Sequence, residues 1–347
     1  MMADEAHRNS NIMIADAHSD LVVDVLRRQE AGETAVLSRR HADALEAAGV
    51  RMLMLSTGGD GPTQNLGSDD PFWCTMVRIR ALVADIEHSA DRFALCRSMH
   101  DVEAAIAGGR IAAMMMIEGA SPLKTSIEAL DIMHRWGIRS IQMTWNARNM
   151  VGDGCGESAT GSGLTRFGRR LVGEMNARRI LVDLSHASEA LFYSVADATT
   201  APFLVSHANT RALCDHPRNL TDDQLKVLAA HGGVVGLCMF PWFVHPEKPS
   251  PDRLVDHLDH IVTTVGIDHV AIGADFIYFA LEIFGQELST KDKTGMYDKG
   301  FDLPAELKDL RSFALLEQAM GRRGYSGDDI AKVFSKNLFR VYSEVIG

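Results

Sequence analysis

The sequence predicts an α/β fold, specifically a TIM-type (β/α)8 barrel. Three observations predict it: eight short apolar runs, helix-like segments between them, and polar residues where several runs end. The runs lie at 12–17, 50–56, 111–117, 138–144, 180–184, 202–206, 233–239 and 269–274. Short apolar runs without strict alternation suit strands that are buried on both faces, as in parallel sheets. Strand–helix alternation repeated eight times therefore predicts one barrel rather than two domains.

Helix-like segments separate the runs, and the clearest lie at 37–48, 72–88, 125–136 and 165–178. Another begins at Thr221, where Gln224 three residues later has the spacing of a capping box. The region 276–310 follows the eighth run and is too long for a simple connection, so it is a candidate lid or specificity loop. We therefore predict a single barrel domain over 1–347, with an extended loop region at about 276–310.

Composition and charge exclude several classes of partner. The net charge is −11 and the chain has no basic run, which argues against nucleic acid. No apolar run approaches the length that a membrane span needs, so we expect no membrane partner. The five cysteines are odd in number and form no C-x-x-C, which favours reduced thiols, and the polar N-terminus is unlike a signal peptide. The sequence therefore predicts a cytoplasmic protein.

Six polar side chains follow predicted strands at the end where α/β barrels carry their active sites. They are three imidazoles and three carboxylates from five strands: His18, Asp20, Glu118, His186, His207 and Asp275. Buried carboxylates need counter-charge, and a divalent metal supplies it. Imidazole and carboxylate ligands suit zinc, and also manganese, cobalt or iron. For any one of these residues alone, hydrogen bonding at a strand end is the alternative explanation.

Eight motifs run through nearly the whole chain: DAHSD, IEG, MTWNARNMVGDG, GLTRFGRRLVGEMN, LVDLSHAS, VSHANTRALCDHPRN, IGADF and NLFRV. In this order and spacing they resemble the membrane (renal) dipeptidase family of zinc metallopeptidases, peptidase family M19, within the amidohydrolase-like barrels. The resemblance implies a barrel of the metal-dependent hydrolase type. It also implies a binuclear zinc dipeptidase in which a metal-bridged hydroxide attacks the peptide bond of small dipeptides. Members of the family are often dimers, so a homodimer stays open.

The resemblance assigns the metal ligands residue by residue. It implies that His18, Asp20 and Glu118 bind one zinc ion. It implies that His186 and His207 bind a second, with Glu118 bridging the two. The expected cofactor is therefore two Zn²⁺ per chain, with other divalent metals left open. Paired metals of this kind lower the pKa of a bridging water toward neutrality and polarise the scissile carbonyl.

Proton transfer and substrate binding are assigned to residues outside the ligand set. Asp275 matches the family's proton-shuttling aspartate and, together with Glu118, makes up the predicted catalytic pair. Arg218, in HPRN, matches the arginine that receives the substrate's carboxylate. Its planar guanidinium can hold a free α-carboxylate by two hydrogen bonds, which favours a small dipeptide or amide as the substrate.

Two positions depart from the family's pattern. Trp145 stands where dipeptidases have the histidine of LTH, which is associated with the substrate carbonyl, and an indole N–H cannot carry charge. Trp145 and Asn146 are predicted to contact the substrate, and Arg148 is a further candidate for stabilising the oxyanion. Ile277 removes a carboxylate from the lip of the site, so we expect a reshaped pocket.

Two other functions fit the same residues. One is an amidase or lactonase of the same barrel type that acts on a non-peptide metabolite. The other is a metal-binding barrel that has lost peptidase activity, an alternative that Trp145 raises. Turnover of a dipeptide panel by the metal-loaded protein separates the leading hypothesis from both.

Overall fold

Eight parallel strands close into a barrel, which confirms the predicted fold class. The structure is a computed structural model and describes residues 12–61, 66, 68–281 and 303–347. Its strands are β1 Ile14–Ser19, β2 Val50–Gly59, β3 Phe93–Leu95, β4 Ile111–Glu118, β5 Ile138–Gln142, β6 Leu181–Asp183, β7 Leu204–Val205, β8 Val234–Leu237 and β9 Val270–Ile272. Their order is β2-β1-β9-β8-β7-β6-β5-β4, and pairing of β2 with β4 closes the ring.

Each of the eight predicted runs overlaps one of the barrel strands. The ninth strand, β3, was not predicted, because its apolar stretch at 93–96 is shorter than any of the eight predicted runs. It pairs with the first part of β4, and β5 pairs with the last part of β4. The added strand therefore extends one edge near the start of β4 and leaves the ring of eight unchanged.

Helices connect the strands. The α-helices of the described residues are Leu21–Glu30, Ala42–Ala48, Pro71–His88, Met99–Ala107, Ile127–Trp136, Arg166–Ala177, Glu189–Ala196, Asp222–Ala230, Pro241–Val244, Pro251–Val265, Arg311–Arg322, Gly327–Ala331 and Asn337–Val345. The four predicted helical segments are confirmed, although the first begins with a π-helical turn, Leu37–His41. Within the described residues, no helix combines the length and the apolar character that a bilayer span requires.

Side-chain caps start several helices, one of them at the predicted capping box. The predicted capping box is present, since Thr221 Oγ1 accepts from the N–H of Gln224 and the Gln224 side chain accepts from the N–H of Thr221. Ser188 caps the helix after His186 by accepting from the N–H of Leu191 at 3.2 Å. This cap fixes the direction in which the chain leaves the site.

The methionine run in β4 divides between two apolar layers, because side chains alternate along a strand. Met114 and Met116 pack in a cluster with Met52 and with residues of the C-terminal helix. Met115 belongs to the larger cluster that joins the strands to the surrounding helices. The barrel is therefore filled on both faces of its sheet.

The predicted loop region at 276–310 is described in part. It contains a short 3₁₀ turn, Tyr278–Ala280, which begins three residues after the site residue Asp275. Residues 282–302 lie outside the described part of the chain. The proposal that 1–347 forms one domain stays a prediction, as does the role of this region as a lid.

Candidate functional site

The strand ends bring together the six side chains that the sequence singled out. On one side, the acidic half of the site contains His18, Asp20 and Asp275. His18 Nε2 lies 3.6 Å from Asp20 Oδ2, 3.8 Å from Glu118 Oε2 and 3.8 Å from Asp275 Oδ1. His18 is completely buried, so three carboxylates surround one imidazole in a water-poor environment.

The imidazole half contains His186 and His207. Their Nε2 atoms lie 3.0 Å apart, and both face the same carboxylate oxygen, Glu118 Oε1, at 3.2 Å and 3.8 Å. Glu118 is the last residue of β4. Its two oxygens therefore point to different halves, Oε2 to His18 and Oε1 to the two other histidines.

The ligand atoms of the site are placed as if to bind a divalent cation rather than to hydrogen-bond with one another. Both ring nitrogens of His18 are buried without a hydrogen-bond partner. Two nitrogen ligands of one tetrahedral zinc ion would lie roughly 3.3 Å apart, which is close to the separation of His186 and His207. Among the described residues, His, Cys, Asp and Glu side chains with ligand atoms within 4.8 Å of one another form three groups: His18–Asp20–Glu118, Glu118–His186–His207 and His18–His207–Asp275. Glu118 is shared by the first two groups.

Hydrogen bonds behind the rings orient the two histidines of the imidazole half. His186 Nδ1 lies 2.6 Å from Asn146 Oδ1, and His207 Nδ1 lies 2.8 Å from Ser206 Oγ. Such contacts set the ring tautomer and leave Nε2 available as a ligand atom. The oxygen of Asn146 is thus engaged with His186, whereas its buried Nδ2 has no hydrogen-bond partner. The predicted substrate contact of Asn146 stays a prediction, and Ser206 was missed because serine after a strand carries no distinctive signal.

The histidines of the two halves differ in pKa because different charges lie beside them. Burial lowers the pKa of His18, but the carboxylates of Glu118, Asp20 and Asp275 outweigh burial and raise this pKa to about 10. Burial, together with the positive charges of Arg218 and His18, keeps the pKa values of His186 and His207 well below the usual range. Neutral imidazole is the form that binds metals.

Burial shifts the pKa of a carboxyl group upward, whereas it shifts the pKa of a histidine downward. Burial raises the pKa of Glu118 and of Asp275, and the positive charge of His18 partly offsets that effect. A carboxyl group whose pKa is raised toward neutrality can exchange a proton near physiological pH. Asp275 therefore has the electrostatic setting that proton transfer needs.

The backbone at two site residues is strained. His186 and Asp275 have φ values of 64° and 56°, in the left-handed region where a non-glycine residue costs about 1–3 kcal/mol. Close packing also demands glycine nearby, since a Cβ on Gly59 would lie 2.0 Å from the carbonyl oxygen of Glu118. The fold therefore holds the site residues in conformations that their local sequence does not favour.

Arg218 lies beside the imidazole half. It is buried, and its Nη2 donates to the carbonyl oxygen of His207 at 3.0 Å. Its guanidinium carbon lies 5.3 Å from the centre of the Phe243 ring, and its buried Nε has no hydrogen-bond partner. A buried cation with an unused donor can receive an anionic group.

Trp145 also faces the imidazole half, because its ring centre lies 5.8 Å from that of His186 with the planes 30° apart. The backbone N–H of Trp145 donates to Asp60 Oδ2 at 3.3 Å, and Asp60 also accepts from Asn149 Nδ2 at 2.6 Å. The sequence reasoning missed Asp60. The predicted run at 50–56 stops short of β2's true end at Gly59, so this strand-end carboxylate was not considered.

Arg148 and Ile277 are not among the residues of the ligand groups. Arg148 pairs with Asp153 at 2.6 Å, so the structure gives it a partner other than an oxyanion. Ile277 is buried and packs with Cys238, Phe240 and Phe243. This apolar cluster borders the site, since Phe243 also lies under Arg218 and Cys238 Sγ is 3.9 Å from Asp275 Oδ2.

Comparison with known proteins identifies related chains. A family model described as membrane dipeptidase, peptidase family M19, matches residues 3–290. A protein of Klebsiella pneumoniae, described as an uncharacterized protein in the pqqA 5′ region, is 32% identical over 286 residues, which are 80% of this chain and 96% of that protein. Dipeptidase tcpJ of Claviceps purpurea is 30% identical over 274 residues, 78% of this chain. The match spans 60% of the length of tcpJ.

A solved structure has the same architecture. The crystal structure of the dipeptidase AC, a metallopeptidase of family M19, superposes with a TM-score of 0.83 at 25% sequence identity. The superposition covers 97% of this chain and 100% of the dipeptidase. The barrel, including the strand ends that carry the six side chains, is therefore shared over nearly the whole chain.

Proposed function

This chain belongs to the membrane dipeptidase family, peptidase family M19, and from that premise we propose that it cleaves the peptide bond of small dipeptides with two divalent metal ions. The family and the relatives make the chain a metallo-dipeptidase. The number of metal ions, the ligand assignment and the roles of individual residues are the proposal. One observation carries it: the two oxygens of Glu118 face two separate groups of ligand atoms.

The ligand assignment follows those groups. His18, Asp20 and Glu118 would hold one ion, and Glu118, His186 and His207 would hold the other. Neutral imidazoles and carboxylates suit zinc, and manganese and cobalt accept the same ligands. Two such ions would lower the pKa of a water between them and polarise the scissile carbonyl.

Asp275 would handle the proton. In hydrolysis a C–O bond forms at the scissile carbonyl, and the C–N bond then breaks. The attacking water loses a proton and the leaving amine gains one, so one carboxyl group can accept the first proton and donate it to the amine. Asp275 faces His18 at 3.8 Å, and burial raises its pKa, which supports that role.

Arg218 would bind the substrate's terminal carboxylate. It is the buried cation beside the imidazole half, and its Nε has a hydrogen still to donate. A free carboxylate that close to the scissile bond restricts the substrate to a short peptide. Trp145 would contact the same substrate, because its ring lies against His186.

The test combines metal analysis with turnover. Protein purified without chelator is expected to contain more than one divalent ion per chain and to hydrolyse members of a dipeptide panel. Chelation should abolish turnover, and added zinc, manganese or cobalt should restore it. Glu118→Gln should lose metal and activity, whereas Glu103→Gln, on an exposed helix surface, should lose neither. Fewer than two ions per chain after metal supplementation contradicts the two-metal proposal, and full metal without dipeptide turnover contradicts the substrate class.

A further inference from the structure

Asp16 is a buried carboxylate that joins the two strands of the acidic half. It lies on β1, two residues before His18. Its Oδ1 accepts from the N–H of His18 at 3.3 Å and from the N–H of Ala274 at 2.8 Å. Ala274 directly precedes Asp275. The side chain of Asp16 therefore holds the end of β1 against the end of β9.

Asp183 occupies the equivalent place in the imidazole half. It is the last residue of β6 and is completely buried. Its Oδ1 accepts from the N–H of Ser185 and from the N–H of Ser206, both at 3.0 Å. These donors directly precede His186 and His207. One carboxylate oxygen thus links the backbone segments that carry both histidines.

The two pairs of strands that these aspartates connect have the fewest paired backbone positions in the barrel. β1 and β9 pair at a single position, Asp16 with Ile272, and β6 and β7 pair at a single position, Asp183 with Leu204. Each of the other neighbouring pairs in the described barrel has at least two paired positions. The carboxylates thus add interstrand hydrogen bonds where the ladder has fewest.

We propose that Asp16 and Asp183 are positioning residues, and that each sets the ligand spacing of one half of the site. The inference rests on the proposed function, since it takes each half to hold one metal ion. Neither side chain belongs to the groups that could ligate an ion, so both act through backbone N–H groups at or directly before the site residues. Removal of hydrogen bonds behind a metal ligand typically weakens metal binding about 10–100-fold.

The chain offers a matched control. Asp85, on the helix Pro71–His88, is equally buried and also accepts two backbone bonds, from the N–H groups of Val36 and Leu37, both at 2.9 Å. These contacts are remote in sequence from the ligand residues. Asp85→Ala should therefore lower the melting temperature without changing metal affinity.

Zinc titration of the full-length, metal-free protein against a competing chelator tests the proposal. Asp183→Ala and Asp16→Ala are each expected to weaken one of two zinc ions about 10–100-fold and to leave the other unchanged. Asp183→Asn and Asp16→Asn keep an acceptor oxygen and should bind both ions nearly as wild type does. Alanine variants that bind both ions as tightly as Asp85→Ala does, or asparagine variants that lose as much as alanine, would overturn the proposal.

NMR of the histidine rings in metal-free protein provides a second readout. Asp183→Ala should shift the ring signals of His186 and His207 and leave those of His18, and Asp16→Ala should do the reverse. Where an alanine variant does not fold, the asparagine variant should shift the same rings by less. Fewer than two zinc ions on the wild type would contradict the two-metal function, while the ring spectra still decide the role of the aspartates. Shifts of the ring signals that are equal in both halves, or equal to those of Asp85→Ala, would refute the positioning role of the aspartates.

Discussion

The acidic half and the imidazole half of the site contain histidines that are almost equally buried but prefer opposite charge states. The pKa of His18 is lowered by burial yet raised to about 10 by the carboxylates around it. Burial and the charge of Arg218 hold the pKa values of His186 and His207 far below the usual range. Neighbouring charge, rather than depth, therefore distinguishes the two halves.

A histidine outside the site shows the opposite balance, in which burial outweighs the effect of a nearby carboxylate on the pKa. His257 donates to the carbonyl oxygen of Val244 and accepts from the N–H of Thr210. Burial lowers its pKa to about 4. The difference from His18 shows that the acidic half attracts positive charge, whereas the imidazole half offers neutral ligands beside the cation Arg218. In the proposed function, proton transfer is assigned to the first half and binding of a substrate carboxylate to the second.

Replacement of the Asp275 carboxyl group, in the acidic half, should have the largest effect on catalysis. Asp275→Asn keeps the size of the side chain but removes proton transfer, so kcat should fall about 10²–10⁴-fold. Elemental analysis should still find the metal content of the wild type. The control is Asp268→Asn, an exposed residue before the same strand, which should leave kcat unchanged. Loss of metal in Asp275→Asn would instead make Asp275 a ligand.

Replacement of the cation beside the imidazole half should affect binding more than chemistry. Arg218→Lys cannot reproduce a two-bond contact with a carboxylate, so KM for dipeptides should rise about 10–100-fold with a smaller change in kcat. Arg211→Lys, on the same segment, is the control. A substrate whose carboxylate is replaced by an amide should lose much of its kcat/KM with the wild type and little with the variant. Equal losses in both proteins would show that Arg218 does not contact that carboxylate.

Substitution of Trp145 tests whether a histidine at this position, beside the imidazole half, increases dipeptide turnover. Trp145→His should increase turnover of ordinary dipeptides about tenfold, because an added donor near the carbonyl recovers part of a contribution that is worth 10²–10³ when complete. It should reduce turnover of the substrate that the wild type prefers. The exposed Trp73 provides the control, Trp73→His. Identical kinetics on every dipeptide tried would place Trp145 outside the reacting centre.

His257 should affect stability and leave catalysis nearly unchanged. Its pKa is about 4 in the folded protein and 6.5 as the ordinary value. Between these values the unfolded chain binds a proton that the folded protein does not, so the free energy of unfolding falls as pH falls, by about 3 kcal/mol in total. Denaturant titrations at pH 7 and pH 4 should show a smaller loss in His257→Gln than in the wild type. The exposed His88 supplies the control, His88→Gln, and an unchanged loss in His257→Gln would rule His257 out as the cause.

Much of the fold was predictable because its signals are local. A buried parallel strand needs an apolar run, and a helix start needs a capping side chain, so the eight barrel strands and the box at Thr221 could be read from neighbouring residues. β3 could not, since its apolar stretch at 93–96 is shorter than any of the eight runs and its pairing with β4 is not visible in the local pattern. The cytoplasmic location and the homodimer stay predictions.

The sequence alone determined which side chains stand at the strand ends, because the residue that follows a strand in a parallel barrel must lie at one mouth. Only the tertiary structure decided how they face one another. The opposite orientations of the Glu118 oxygens, the contact of Asn146 with His186 and the hold of Asp60 on Trp145 depend on strand register and side-chain rotamers. Those are set by packing between residues dozens of positions apart, to which no local pattern corresponds.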